Sequence, residues 1–295
     1  MAADQLSVTL SAAVSHTHVA SAAYQAEVAL LSRRIVVQGS ALDSPPTDQT
    51  NANGLSTCDH DKTTLGDNGV PCNNTYLTGY GAHVMAQGEA ATLRVSGVEL
   101  VRVGQTNVVG RYPLHAHLLG ESGGARSYVS DAAVHQSYYR CMSIHGTHRL
   151  TLAHSVAYDA IGHCWYLEDA VEENNTLAFN LAAHVHFMGS PARATNGQFG
   201  PDIYATSELQ LPADTTASGF YISNGYNRVV GNAASGGWAG FAFPIVASPL
   251  KASAGATVTP EARPLLDFNG NSAHSCGWWW SRGGCVYFGG KLWTN

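Results

Sequence analysis

Between Gly110 and Val171 the sequence gathers side chains able to move protons or bind metal ions. His115, His117, His135, His145, His148, His154 and His163, seven of the fourteen histidines, lie there with Arg111, Glu168 and Asp169. Imidazole titrates near neutrality and ligates metals, and spacing decides which of these groups can meet. His115 and His117 alternate with apolar residues in PLHAHL, and CMSIH (Cys141 to His145) repeats as CWYLE (Cys164 to Glu168). These are strand patterns, in which successive side chains point to opposite faces. Leu114, Ala116, Met142, Ile144, Trp165 and Leu167 fall on one apolar face. His115, His117, Ser143, His145, Tyr166 and Glu168 fall on the other. With neighbouring strands about 4.8 Å apart, His115 or His117, His145, Glu168 and, from AHVHF, His186 would form an outward column flanked by Arg111 and His148.

Three kinds of chemistry fit such a column. As acid and base, His145 and Glu168, with His117, would act on a sugar lying across the sheet. A glycosidase ordinarily uses two carboxylates about 5–9.5 Å apart, and Asp169 is expected to point away from Glu168 if the strand continues. As metal ligands, His115, His117, His145 and Glu168 offer three nitrogens and an oxygen, a set for zinc, manganese or iron rather than calcium. Calcium would favour the oxygen-rich stretches 59–74 or 169–175. As structural groups, the histidines would hydrogen-bond between strands and Arg111 would pair with Glu168. The candidate substrate contacts are Arg111, suited to a uronate carboxylate, with His115, His148, Asp169 and Trp279. Trp278, Trp279 and Trp280 form either a sugar-stacking platform or a plug at one end of the fold.

The element that must hold these residues is a repeat of about 21 to 23 residues. DAAVHQS, HSVAYDA and NTLAFNL align so that His135, Tyr158 and Phe179 superpose, which places His135 in the core. Gln136, Asp159 and Asn180 then share a polar column that Asn232 and Asn271 extend. Polar residues recurring after alternating strands satisfy one another at the bends of a solenoid. The predicted fold is all-β, a right-handed parallel β-helix of the pectate-lyase-like kind with long loops. Residues 80–295 form the helix, 41–79 a loop insertion, and 1–40 the end of a preceding glycine-rich β domain with entry strands.

Composition narrows the function. Only 12% of residues are charged, the net charge is -6, and no run of Lys or Arg occurs, which argues against nucleic acid. No apolar stretch is long enough to span a membrane. Without a CxxC pair the six cysteines argue against structural zinc. Cys58 with Cys72 and Cys276 with Cys285 are candidate disulfides. Cys141 and Cys164 are expected as a buried thiol stack, with a disulfide between neighbouring coils as the second option. The sequons at Asn73 and Asn174 are compatible with a secreted glycoprotein. His16, His18, His60 and His83 receive no role.

The strings EVALLSRRIVVQG, RVSGVEL, GRYPLHAHLLG, IHGTHRLTL, VAYDAIGHCWYLEDAVEENNTL and ASGFYISNGYNRVVGNAASGGWAGFAF resemble the parallel β-helix region of one family. It comprises the fibrocystin-L-like proteins, the cell-migration-inducing hyaluronidase and the transmembrane hyaluronidase. The resemblance covers about residues 25 to 290 and departs after Asn180. It implies an extracellular or cell-surface module of a larger protein. For some members it implies calcium-dependent depolymerisation of hyaluronan, and for fibrocystin-L-like members a receptor or surface-coat role. Two functions follow as expectations. One is a module that binds and depolymerises a hyaluronan-like glycosaminoglycan, with a divalent metal such as calcium. The other is a non-catalytic adhesion or receptor module for a cell-surface ligand.

Overall fold

Short runs of alternating apolar residues, each ended by a bend, cannot bury a face alone and must stack on copies of themselves. A computed structural model describes residues 9–18, 21, 25–39, 79–186, 214–277 and 284–291. Its strands visit three parallel sheets in strict rotation, and each strand pairs with the third strand after it in sequence. The first sheet holds Ile35–Gln38, Val98–Val101, Ala133–Ser137, Val156–Ile161, Leu181–His186, Ala233–Gly236 and Ser272–His274. The second holds Val84–Gln87, Leu114–Leu119, Met142–Thr147, Trp165–Leu167, Ser218–Tyr221, Ala239–Ile245 and Val286–Lys291. Arg94–Ser96, Tyr128–Ser130, Thr151–Ala153, Thr176–Ala178, Arg228–Val230 and Asp267–Asn269 make the third. This is a parallel β-helix.

The interior is filled by columns of like residues. Val129, Leu152, Leu177 and Val229 line the third sheet, in register and buried. Leu114, Met142, Trp165 and Phe220 form a column in the second, continued by Phe241, which stacks on Phe220 with ring centroids 4.7 Å apart. Each such side chain contributes about 1.5–3 kcal/mol when removed from water.

The polar column exists, with a different membership. Asn180 Oδ1 accepts from the Ser155 N–H, Asn232 Oδ1 from the Asn180 N–H, and Asn271 Oδ1 from the Asn232 N–H. Gln136 and Asp159 instead occupy a left-handed bend within the first sheet, with φ of 51° and 55°, and His184 repeats it at 55°. The copy beginning at Asn175 lies on a different strand from the one the repeat suggests: Leu177 pairs with Leu152 of the third sheet, and it is Leu181 that pairs with Val156.

His135 is therefore not in the core. Val134 and Ala157 take the inward positions, so His135 and Tyr158 face out, and His135 Nε2 lies 3.0 Å from Glu99 Oε1. Nor do Cys141 and Cys164 stay as thiols: they form a disulfide between neighbouring coils, and a second joins Cys276 to Cys285. Cys58 and Cys72 lie outside the described residues.

Candidate functional site

The second sheet carries the site on its outer face. Leu114 pairs with Met142 and Ala116 with Ile144, so His115 pairs outside with Ser143, and His117 with His145. One strand further, Tyr166 pairs with Ser143, and the Glu168 N–H donates to the Ile144 carbonyl. The column stops there. His184 and His186 belong to the first sheet, and the next second-sheet strand is Ser218–Tyr221, reached only after residues 187–213.

His115, His117 and His145 converge, with one nitrogen of each ring within 4.8 Å of the others. The far nitrogens of two of them fix their tautomers. His115 Nδ1 lies 3.0 Å from the Gly110 carbonyl, which can only accept, so Nδ1 carries the proton and Nε2 a lone pair. Gly110 turns that carbonyl inward from a φ of 85°, a conformation natural to glycine. His145 Nε2 lies 2.8 Å from Asp169 Oδ2 and donates to it. The remaining nitrogens meet at His117, whose Nδ1 is 3.3 Å from His115 Nε2 and 2.9 Å from His145 Nδ1. Burial lowers His115 to about 4 despite the nearby Glu168, so the ring is neutral and its 3.9 Å approach to Glu168 is not an ion pair. Burial also lowers His117. For His145 burial acts in the same direction but is outweighed by Asp169 and Glu168, and its affinity for a proton rises.

Both carboxylates reach the cluster, which corrects the expected divergence of Asp169 from Glu168. The strand ends at Leu167, and alternation ends with it. Glu168 is held on every side. Ser143 Oγ donates at 2.6 Å, Tyr112 Oη at 3.2 Å and Lys251 Nζ at 2.7 Å. Burial opposes its ionisation, but Lys251, Arg140 and His145 outweigh that and hold it well below the usual carboxylate range. Asp169 Oδ2 also accepts from the Ser253 N–H, so the loop bearing Lys251 is fastened over both acids. Behind them Glu172 Oε1 accepts from the N–H groups of Gly146 and Asp169, and burial pushes its carboxyl up to about 7.

Deeper still, Arg140 is fully buried. It pairs with both oxygens of Asp214 at 3.2 and 2.9 Å, donates to Tyr112 Oη at 3.3 Å, and lies 3.7 Å over the Tyr166 ring. A buried guanidinium needs such compensation. Tyr112 thereby links the Arg140–Asp214 pair to Glu168.

The other expected residues stand apart. Arg111 is exposed with Nη1 2.6 Å from His83 Nε2, so the cation on Glu168 is Lys251 instead. His148 Nδ1 accepts from the Glu173 N–H and lines an open groove of about 730 Å³ beside the cluster, with Glu89, Glu173 and Arg263. Asn174 is half-buried at a bend, its N–H donating to the Tyr226 carbonyl. Trp279 and Asn73 lie outside the described residues. Ser143, Tyr112, Arg140, Glu172, Asp214 and Lys251 were missed. Alternation put Ser143 on the outward face but gave it no role, whereas Lys251 sits in an aperiodic Ser/Ala/Gly loop that gives no signal.

Calcium, which the family resemblance implies, does not suit these residues. It takes six to eight oxygens, and the convergent atoms here are imidazole nitrogens. In 169–175 Asp169 Oδ2, Glu172 Oε1 and Glu173 are taken by His145, backbone N–H groups and Arg263, which leaves Asp169 Oδ1 and Glu172 Oε2 without hydrogen-bond partners, too few oxygens for calcium. Residues 59–74 lie outside the described residues.

A parallel β-helix with a histidine and carboxylate cluster on an outer sheet face is the class of protein these features define. The CEMIP β-helix family matches residues 79–279, and the chain belongs to it. It is 44% identical over 272 residues to Protein rliB of Dictyostelium discoideum, covering 92% of this chain and 21% of that protein. Communication mutant protein F of Dictyostelium discoideum is 43% identical over the same shares. Cell surface hyaluronidase CEMIP2 of Homo sapiens is 30% identical over 268 residues, 85% of this chain and 18% of that protein. The chain thus spans about a fifth of the length of these relatives. Among the described residues no helix is long and apolar enough to cross a membrane.

Proposed function

We propose that this chain is the polysaccharide-processing module of a larger cell-surface or secreted protein, and that its substrate is a linear, acidic, hyaluronan-like chain. The observation that carries the reading is the convergence of His117, His145, Glu168 and Asp169 on one outer sheet face, where a flat ribbon of strands matches an extended polymer. The human relative's name, cell surface hyaluronidase, points to the same substrate class.

The geometry favours histidine chemistry over a pair of carboxylic acids. Glu168 is ionised and held by three donors, and Asp169 is bonded to His145 and Ser253, so neither supplies a proton to a leaving group. His117 is half-buried, the most exposed of the three rings. Bond cleavage here would run through the histidine cluster, with Glu168 and Asp169 as fixed charges that orient it.

The test is chain length. The purified protein incubated with hyaluronan and with chondroitin should shorten at least one of them, seen by size-exclusion chromatography. His145→Ala should abolish the shortening while the circular dichroism spectrum is retained. Unchanged polymer with the native protein, or equal rates with the variant, would overturn the reading. The closed coordination of Glu168 favours a second reading, a non-catalytic binding module, which predicts retention on immobilised hyaluronan without shortening.

A further inference from the structure

We infer that His115, His117 and His145 form a binding site for a divalent transition metal of the zinc class, held with an open fourth position. The argument is one of protons. The Gly110 carbonyl and the Asp169 carboxylate each take an N–H from the far side of a ring, at 3.0 and 2.8 Å. When both rings are neutral, two lone pairs, on His115 Nε2 and His145 Nδ1, face the single Nδ1 of His117 at 3.3 and 2.9 Å. That atom has at most one proton for two acceptors in a largely buried setting. One dication answers all three nitrogens.

The distances fit. With Zn–N bonds of about 2.0–2.1 Å, two nitrogens on a tetrahedral ion stand about 3.3 Å apart. The rings of His115 and His145 lie parallel, 10° apart with centroids separated by 5.8 Å, and His117 closes the third side edge-on to both. Metal-bound histidines characteristically give their other N–H to a carbonyl or carboxylate, which fixes the ring and raises its basicity, and two of the three do so here. Three imidazoles with a position left over are the donor set of a catalytic rather than a structural zinc site. Binding requires the His117 proton to sit on Nε2, at the half-exposed edge, and displaces any proton on His145 Nδ1. Among the described residues no other three metal-ligating side chains converge in this way.

The experiment needs no substrate. The full chain, freed of metal by a chelator and dialysed, is titrated with Co²⁺ and Zn²⁺ by calorimetry, and the Co²⁺ form is read by visible absorption. The site predicts one ion per chain, ligand-field bands of a four- or five-coordinate ion, and displacement of Co²⁺ by Zn²⁺. His117→Ala, at a half-buried position, should weaken binding at least 100-fold, and Asp169→Asn by 10- to 100-fold. His83→Ala and His148→Ala, away from the cluster, should leave it unchanged. No stoichiometric binding at micromolar metal, or an unaltered Co²⁺ spectrum in His117→Ala, would overturn the inference. A bound metal without chain shortening would count only against the proposed function.

Discussion

The ammonium of Lys251 rests 2.7 Å from Oε1 of Glu168, although 83 residues separate the two in sequence. A loop between later coils thus neutralises an acid built into earlier ones. Lys251→Met leaves that carboxylate with hydroxyl donors and the more distant Arg140, and should cost about 1–3 kcal/mol at pH 7, discounted for the partial exposure of the lysine. Because Lys251 depresses the Glu168 pKa, its contribution is full above the unfolded-state value of 4.5 and fades as pH falls through the folded one. The melting temperatures of the native protein and the variant should therefore converge toward acid. A gap that closes between pH 7 and pH 5, above the unfolded-state value, would contradict this.

Glu172 should show the opposite pH dependence. Its carboxyl is raised from 4.5 to about 7 by burial, so the folded state holds a proton that the unfolded state has released. Stability from this group is fully present below pH 4.5 and is lost as pH rises through 7. Glu172→Gln keeps an acceptor for the Gly146 and Asp169 N–H groups without needing the proton. At pH 8.5 the variant should exceed the native protein by on the order of 3 kcal/mol, and at pH 4.5 the two should match. Urea denaturation at both values measures it.

Asn180 serves two coils at once. Its Oδ1 accepts from Ser155, and its Nδ2 donates to the Leu152 carbonyl and to Asn232. Asn180→Ala strands buried backbone groups of the preceding coil, each costing about 1–3 kcal/mol. A loss of about 3 kcal/mol is expected in chemical denaturation. Tyr158→Ala, at an exposed position on a neighbouring strand, should cost far less.

Arg140 and Asp214 should be strongly coupled. Asp214→Ala leaves a buried guanidinium without its anion and should cost about 3–5 kcal/mol. Arg140→Met together with Asp214→Ala removes both charges and should cost less than the sum of the single changes. A double-mutant cycle on thermal stability reads the difference, and additivity would disprove the pairing.

Much of the fold was legible because parallel β-helix coils repeat their inward residues: Leu114, Met142 and Trp165 gave the second sheet its register, and that register placed His115, His117, His145 and Glu168. Legibility failed where alternation stops. Asp169 follows the end of a strand, Gln136 and Asp159 sit at left-handed bends, and His186 lies on a strand whose neighbours depend on how much chain intervenes. Partners supplied by aperiodic segments, Lys251 and Asp214, leave no mark in a repeat. His135 was misplaced because the aromatic residues aligned with it, Tyr158 and Phe179, read as core although both are exposed, while the smaller Val134 and Ala157 fill the interior.

The asparagine ladder has a direction. In each step from Ser155 to Asn180, Asn232 and Asn271, the N–H belongs to the earlier coil and the accepting amide oxygen to the later one. Each of these coils is thus completed by the one that follows it from the ribosome. During synthesis the newest coil always carries an unanswered donor, which disfavours stopping early and gives assembly of the solenoid the same polarity as translation.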